Sequence, residues 1–363
     1  MNAPFSIPAT EIVAGESPVR IGGIGTALPP HRLDQREVES AAGPILRDSL
    51  PDFDRLARSF ASAGIDTRYS VAPLDWFARP GGWHERMTLF RQGAGTLFLE
   101  AAAAALAEAS LRPEDVDCVV TVSTTGIVTP SLDAQVLEAL GLRRDVTRVP
   151  VFGLGCAGGV SGLSIARRMA ASHPGSNVLL VAVEACTLSF RRDNPRKADM
   201  IATMLFGDGA AAVCLSTAAS GAVLGAGVEF TWPATLEIMG WDIQDDGLGV
   251  VFDRSIPAFL EQHLAEAVET SLLRLALYRS QITRFVCHPG GAKVIRSLEL
   301  ALTLPRGALD HERSVLRRYG NMSSPTVLFV LREVLREAPR GCLLLTALGP
   351  GFTAALLPVH ADG

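Results

Sequence analysis

The chain has 363 residues, 48% of them hydrophobic and 20% charged, enough to bury a large core as two domains or one large duplicated unit. A net charge of −5 excludes a general attraction to nucleic acid or to an anionic membrane, so any basic site has to be local and the ligand small. The six cysteines, Cys118, Cys156, Cys186, Cys214, Cys287 and Cys342, are scattered, mostly in apolar runs, with no CxxC pair. That pattern points to reduced thiols in a cytoplasmic protein rather than a disulfide framework or a zinc site.

Residues Met1–Arg20 lack a basic stretch followed by an apolar one, and no run approaches the roughly 18 apolar residues of a membrane span, so a soluble protein is expected. A first strand reads at Val19–Ile24. The stretch from about 31 to 88 carries Pro44, Pro51, Pro73, Pro80, Gly81 and Gly82 and reads as helical and loop insertions near a substrate entrance. An Ala-rich amphipathic helix follows at Leu89–Ala109, then a strand at Cys118–Ser123. Next come a Gly-rich turn and helix over Gly153–Ala170, a strand at Val178–Val183, the turn Gly207-Asp208-Gly209 and an apolar strand at Ala210–Leu215. Beyond a join near Thr217–Gly221 the order repeats. After a strand at Ala222–Gly227 there is a helix at Ile256–Ala276, a strand at Phe285–Cys287, a Gly-led helix over Gly320–Arg336, a strand at Cys342–Leu348, the turn Gly349-Pro350-Gly351 and a strand at Ala354–Val359. Two similar β/α halves, 1–216 and 217–363, packed back to back around shared central helices predict a five-layer αβαβα domain. An ordinary doubly wound sheet is the alternative.

Three residues stand out as chemistry. Cys156 lies in Phe152-Gly153-Leu154-Gly155-Cys156-Ala157-Gly158-Gly159, between an apolar strand and a helix start, where the helix dipole is expected to lower its pKa. Alone it could equally be an inert buried thiol. His288, in Cys287-His288-Pro289-Gly290-Gly291, follows a central strand of the second half and could hold a thiolate or donate to a thioester oxygen. Asn321, in Tyr319-Gly320-Asn321-Met322-Ser323-Ser324, precedes a helix as Cys156 does and would alone pass for a cap. A pseudo-twofold between the halves would bring all three to one point.

These segments, with Leu205-Phe206-Gly207-Asp208-Gly209-Ala210-Ala211-Ala212 and Gly349-Pro350-Gly351, resemble the type III polyketide synthases, the family of chalcone synthase and its bacterial relatives. The likeness runs from about Arg20 to the Gly-Pro-Gly turn. It implies a thiolase-type fold, a homodimer, and no cofactor beyond CoA thioesters as substrates. It further implies that Cys156 is acylated by a starter acyl-CoA and that malonyl-CoA is decarboxylated to an enolate held by His288 and Asn321. Phe206 matches the family's gatekeeper aromatic. Arg55, Arg58 and Lys293 match basic CoA contacts, although Ser62 stands where the family has a further lysine. Ser189, Thr124, Thr125, Thr129, Trp241, Val250 and Ser323 fall near cavity positions, and Val250, in place of a second gatekeeper phenylalanine, is expected to widen the passage. A long-chain fatty acyl starter giving an alkylpyrone or alkylresorcinol is favoured, with aromatic or malonyl starters open.

Two rivals share much of this pattern. Initiating ketoacyl synthases condense once with an acyl carrier protein, but their motifs read His-Gln-Ala-Asn and Gly-Asn-Thr-Ser. A silent paralogue would have no need of an intact Cys156, His288 and Asn321. Hydroxymethylglutaryl-CoA synthases add a catalytic glutamate, for which the sequence offers no candidate.

Overall fold

The computed structural model describes residues 17–79, 81–193, 195–245 and 247–363. Pro80 and the first sixteen residues, most of the segment read above for a leader, lie outside that set. In the first half the strands run in the order Thr147–Val151, Cys118–Val122, Asn177–Ala185, Asp208–Ser216, Arg20–Ala27. The first three are mutually parallel and the last two pair antiparallel. In the second half, Ile282–Cys287 is parallel to Arg340–Gly349, which pairs antiparallel with Thr353–Asp362 and through it with Val228–Thr231. The second half therefore repeats the first, less its outermost strand. The stretch Ala222–Gly227, read as one strand, contributes only Val223–Leu224, which pairs with Arg20 on one side and with Val359 and His360 on the other. Through those two residues both halves become one ten-stranded sheet.

Period-two alternation in these strands sorts the core into layers. Val119, Leu179, Val181 and Val183 face the long helix Trp83–Glu108, meeting Phe90, Leu97 and Phe98. The intervening Val120, Val122, Leu180 and Ala182 face inward, onto helix Gly158–Ser172 and helix Thr326–Arg336. Val286, Leu343 and Leu345 of the second half reach those same central helices, while Phe285, Leu344 and Leu356 turn outward to Leu260, Leu264 and Val268 of helix Ile256–Arg274. The result is helix, sheet, paired central helices, sheet, helix. Both faces of every central strand are buried, which explains why those strands read as continuous apolar runs.

The segment outside the repeat is built more regularly than expected. His31–Asp34 pairs with Thr67–Ser70, and Gln35–Leu46 forms a helix whose start is fixed by Asp34 and Glu37 in a capping box. A hairpin of Met239–Gln244 with Gly247–Phe252, absent from the sequence reading, folds beside helix Lys197–Leu205.

The central helices meet where neither has room to spare. A Cβ on Gly159 would stand 2.3 Å from the Ser324 carbonyl oxygen and 2.6 Å from Val327 Cγ1. Gly159→Ala should therefore destabilise the fold by about 1–3 kcal/mol through overpacking. Gly95→Ala, in an open stretch of the long helix where the nearest atom is 3.9 Å away, should stabilise by about 0.5–1 kcal/mol. Urea unfolding of the two variants against the parent measures both signs.

Candidate active site

Cys156 sits in the single 3-10 turn Gly155–Ala157 that feeds helix Gly158–Ser172. The turn needs Gly155, whose φ is +48° and whose Cβ would lie 2.6 Å from Pro350 Cδ. The Gly349-Pro350-Gly351 turn at the end of the second half thus packs directly on the cysteine's turn. Thr124, at the end of the strand Cys118–Val122, accepts a 3.0 Å hydrogen bond at Oγ1 from Gly155 N, so its hydroxyl positions that turn.

Asn321 does not cap helix Thr326–Arg336, which begins five residues later with Pro325 as its cap residue. Its side chain joins two loops instead. Oδ1 accepts from Ser323 N at 2.8 Å, and Nδ2 donates to Gly290 O at 3.2 Å, in the loop that begins at His288. Ser323 takes φ +61°, and its side chain and that of Asn321 both lie at the Cys156 sulfur. The fold thus gathers Cys156, Asn321 and Ser323, and ties the His288 loop to them. His288 is 5% exposed, and neither ring nitrogen has a hydrogen-bond partner among the described residues. A buried polar atom without a partner calls for an explanation, and a role in a reaction is one.

The electrostatics depart from the sequence reading. Burial pushes the Cys156 thiol up to about 11; Ser323 works against this, Glu184 adds to it, and Asn321 again opposes it. The dipole of the following helix does not win against desolvation. Burial likewise lowers His288 to about 3. Burial thus favours the neutral form of both groups, against a helix dipole that favours a thiolate at Cys156.

Sequence reasoning missed Glu184. It lies fully buried at the end of the strand Asn177–Ala185. Oε2 accepts from Thr124 N and Thr125 N, each at 3.0 Å, and from Thr125 Oγ1 at 2.7 Å, while Oε1 accepts from Ser324 Oγ at 2.8 Å. The run Val181-Ala182-Val183-Glu184-Ala185 held the signal: one carboxylate inside an apolar strand is expensive unless every lone pair is used.

Phe206 ends helix Lys197–Leu205 and packs with Cys186, Ala202 and Val250. Val250 is 2% exposed, Trp241 and Phe252 stand 6.0 and 5.7 Å from the Phe206 ring, and all three line a cleft of about 570 Å³. Arg68, fully buried, donates to the carbonyls of Met204 at 2.7 Å and Phe206 at 3.1 Å and so anchors this helix end. Ser189 and Thr125 share a small cavity with Trp241, whereas Thr129 is exposed and apart from the others. Arg55, Arg58 and Lys293 are exposed. Arg55 pairs with Asp52 at 2.8 Å, and Asp52 also takes Lys197 at 2.9 Å. Among the described residues no group of three or more His, Cys, Asp or Glu could hold a metal ion, and no helix is long and apolar enough to cross a membrane.

Glu184 makes stability depend on pH in a stated direction. Burial raises its carboxyl from the ordinary 4.5 to about 7, so between those values the folded chain keeps a proton that the unfolded chain has released. This group therefore favours the fold less and less as pH rises from about 4.5 to about 7. Glu184→Gln removes the titration, and the stability of the parent relative to the variant should fall across that window. Urea unfolding at pH 5 and pH 7.5 gives the difference, and a gap that stays constant or widens would show that Glu184 is ionised throughout.

Comparison with known proteins places this geometry. Residues 81–219 match the model for chalcone and stilbene synthases, N-terminal domain, and residues 225–360 match that for the C-terminal domain. A 1,3,6,8-tetrahydroxynaphthalene synthase of Streptomyces peucetius subsp. caesius is 37% identical over 344 residues, covering 92% of this chain and 91% of the relative. A putative chalcone synthase of Bacillus subtilis (strain 168) is 34% identical, covering 92% and 96%. The crystal structure of 1,3,6,8-tetrahydroxynaphthalene synthase from Streptomyces coelicolor A3(2) superposes with a TM-score of 0.89 at 26% identity, over 95% of this chain and 99% of that one. The five layers are those of the thiolase fold. The chain belongs to the chalcone and stilbene synthase family, the type III polyketide synthases, and is an acyltransferase that carries out condensation chemistry on CoA thioesters.

Proposed function

We propose that Cys156 is the nucleophile, that His288 and Asn321 stabilise the enolate, and that the enzyme extends a fatty acyl starter with malonyl units. The observation that carries this reading is the convergence of a buried thiol, a buried imidazole with both nitrogens unpartnered, and the Asn321 amide. As the Cys156 sulfur attacks the starter thioester, its proton passes to His288 and then to the departing CoA sulfur. A new sulfur–acyl bond forms and the bond to CoA breaks. Malonyl-CoA then loses CO2, and the electrons of the broken carbon–carbon bond become an enolate. Donors from His288 Nε2 and Asn321 Nδ2 stabilise that charge strongly in a site of low dielectric. The enolate carbon attacks the thioester, a carbon–carbon bond forms, and the Cys156 thiolate is released. Repetition and ring closure give an alkylpyrone or alkylresorcinol.

CoA phosphates are assigned to Arg55, Arg58 and Lys293. The loop carrying the two arginines reaches the base of the Lys293 helix, since a Cβ on Gly64 would lie 3.1 Å from Ala292 Cβ. A cytoplasmic homodimer fits the exposed Ile127 and Phe152, large apolar side chains flanking the strand ends that carry Thr124 and lead to Cys156. A second reading rests on the relative named for 1,3,6,8-tetrahydroxynaphthalene, 37% identical to this chain, and gives a fused aromatic product instead. Mass spectrometry of products from a panel of acyl-CoAs with malonyl-CoA separates the two.

Cys156→Ala should abolish product while CO2 release from malonyl-CoA persists, because only condensation needs the sulfur. Polyketide formation by that variant would sink the nucleophile assignment. His288→Ala should depress both reactions by roughly 10²–10³ in kcat, and more than Asn321→Ala, since it removes a proton carrier as well as a donor. Equal, mild losses would remove both residues from the mechanism.

A further inference from the structure

Glu312 is a buried carboxyl for which the chemistry above has no use. It lies in the first turn of helix Asp310–Tyr319, is 2% exposed, and its Oε1 accepts from Cys287 N at 2.8 Å. We propose that Glu312 is a positioning residue for His288: by holding the amide of Cys287 it fixes the strand end from which the imidazole enters the site. The proposal rests on the reading of His288 as a participant in the reaction.

Three observations carry it. The strand Ile282–Cys287 is the edge of the ten-stranded sheet, paired only with Arg340–Gly349. In the first half the corresponding strand, Cys118–Val122, has an outer neighbour, and Ser123 N just past its end donates to Val151 O at 3.2 Å. The second half lacks that neighbour, and the Glu312 carboxyl supplies the missing acceptor. Without it the Cys287 N–H would be buried and unpaired, which is costly and leaves the strand end free to shift.

The second observation is that helix Asp310–Tyr319 leads to a hold on each end of the His288 loop. Glu312, near its start, takes the amide of Cys287, and Asn321, two residues past its end, donates from Nδ2 to Gly290 O at 3.2 Å. His288 N itself donates to Thr346 O at 2.8 Å. Neither ring nitrogen of His288 has a partner among the described residues. No hydrogen bond fixes the ring directly, so its place follows from the backbone that these three bonds hold.

The third is that the carboxyl is kept at a cost. The two cations whose charge reaches it are engaged elsewhere, Arg313 with Glu299 at 2.6 Å and Arg284 with Glu337 at 3.0 Å. Burial raises its pKa from the ordinary 4.5 to about 7, and the hydrogen bond from Cys287 N is the largest influence opposing that rise. A carboxyl buried without an ion-pair partner is expensive. Among the described residues its one side-chain hydrogen bond to another residue goes to the strand that carries His288.

Steady-state CO2 release from malonyl-CoA tests this, because that reaction uses the enolate donors and not the Cys156 sulfur. Glu312→Leu removes the acceptor and should lower kcat by roughly ten- to a hundredfold, the cost of an ångström-scale misplacement, with KM for malonyl-CoA changed by no more than about twofold. Glu312→Gln, which keeps an oxygen at the same reach, should recover most of that loss. In a His288→Ala background the leucine substitution should cost nothing further, since the residue it places is gone. Thermal unfolding checks each variant, and Glu312→Asp, whose oxygens are drawn back by one methylene, replaces the leucine variant if that one fails to fold. A parent-like kcat in the folded variant, a glutamine variant as impaired as the leucine one, or an undiminished leucine effect without His288 each overturns the positioning role. Unimpaired turnover by His288→Ala alone overturns the role of His288 instead, and the inference falls with it.

Discussion

One buried carboxylate holds the catalytic junction together. Glu184 ends a strand of the first half, accepts two backbone N–H groups and a hydroxyl from the Thr124–Thr125 turn, and takes the Ser324 hydroxyl from the turn that opens the second central helix. Thr124 in turn holds the amide of Gly155, next to Cys156. A chain of three hydrogen-bonded groups therefore fixes the cysteine's turn relative to the Asn321–Ser324 turn across the interface of the halves. A buried group with this many partners tolerates little displacement, because each lost bond leaves a desolvated donor or acceptor.

The same burial sets the resting protonation of the site. Desolvation raises Cys156 to about 11 and Glu184 to about 7 and lowers His288 to about 3, so every group is pushed towards its neutral form. A free enzyme without a standing thiolate is less exposed to stray alkylation and oxidation, which need the thiolate. It is also a site in which any charge made during reaction meets few competing charges and little water. In the mechanism proposed above, donors from His288 and Asn321 count for most under those conditions.

Much of this was legible in the sequence, for definable reasons. Strands buried on both faces have no polar positions to blur them, so Cys118–Val122, Asn177–Ala185, Asp208–Ser216 and Arg340–Gly349 stood out. The Gly-rich turns around Cys156, His288 and Asn321 were visible because close backbone approach needs glycine at fixed places. What did not show was set by tertiary partners. The broken strand at Val223–Leu224 depends on two neighbours distant in sequence. Thr147–Val151 was read only as an apolar strand before Cys156, without bounds, because as an edge strand it carries Pro150 and exposed positions. The hairpin Met239–Phe252 gave no clean alternation, since its outer face is solvated and its inner face meets Phe206. Glu184 escaped because its partners are backbone amides and hydroxyls, which no residue pattern records. The pKa direction of Cys156 was misjudged for the same reason: burial depth belongs to the whole fold.

Phe206 and Asn321 share one backbone rung. Asn321 N donates to Leu205 O at 2.7 Å and Gly207 N donates to Asn321 O at 3.0 Å, bracketing Phe206 between them. On the other side Arg68 fastens the carbonyls of Thr203, Met204 and Phe206. The Phe206 backbone therefore cannot shift without moving Asn321, and through the Asn321 amide the loop of His288. If Phe206 is the gatekeeper that the family resemblance implies, opening comes from rotation of its ring past the rings of Trp241 and Phe252 and the side chain of Val250. Those three sit on the hairpin and its flank, outside the repeated sheet. On the function proposed above, the repeated part of the fold keeps the reacting groups in register while the appended hairpin decides what passes between them, which is how one condensing framework can serve starters of different shape.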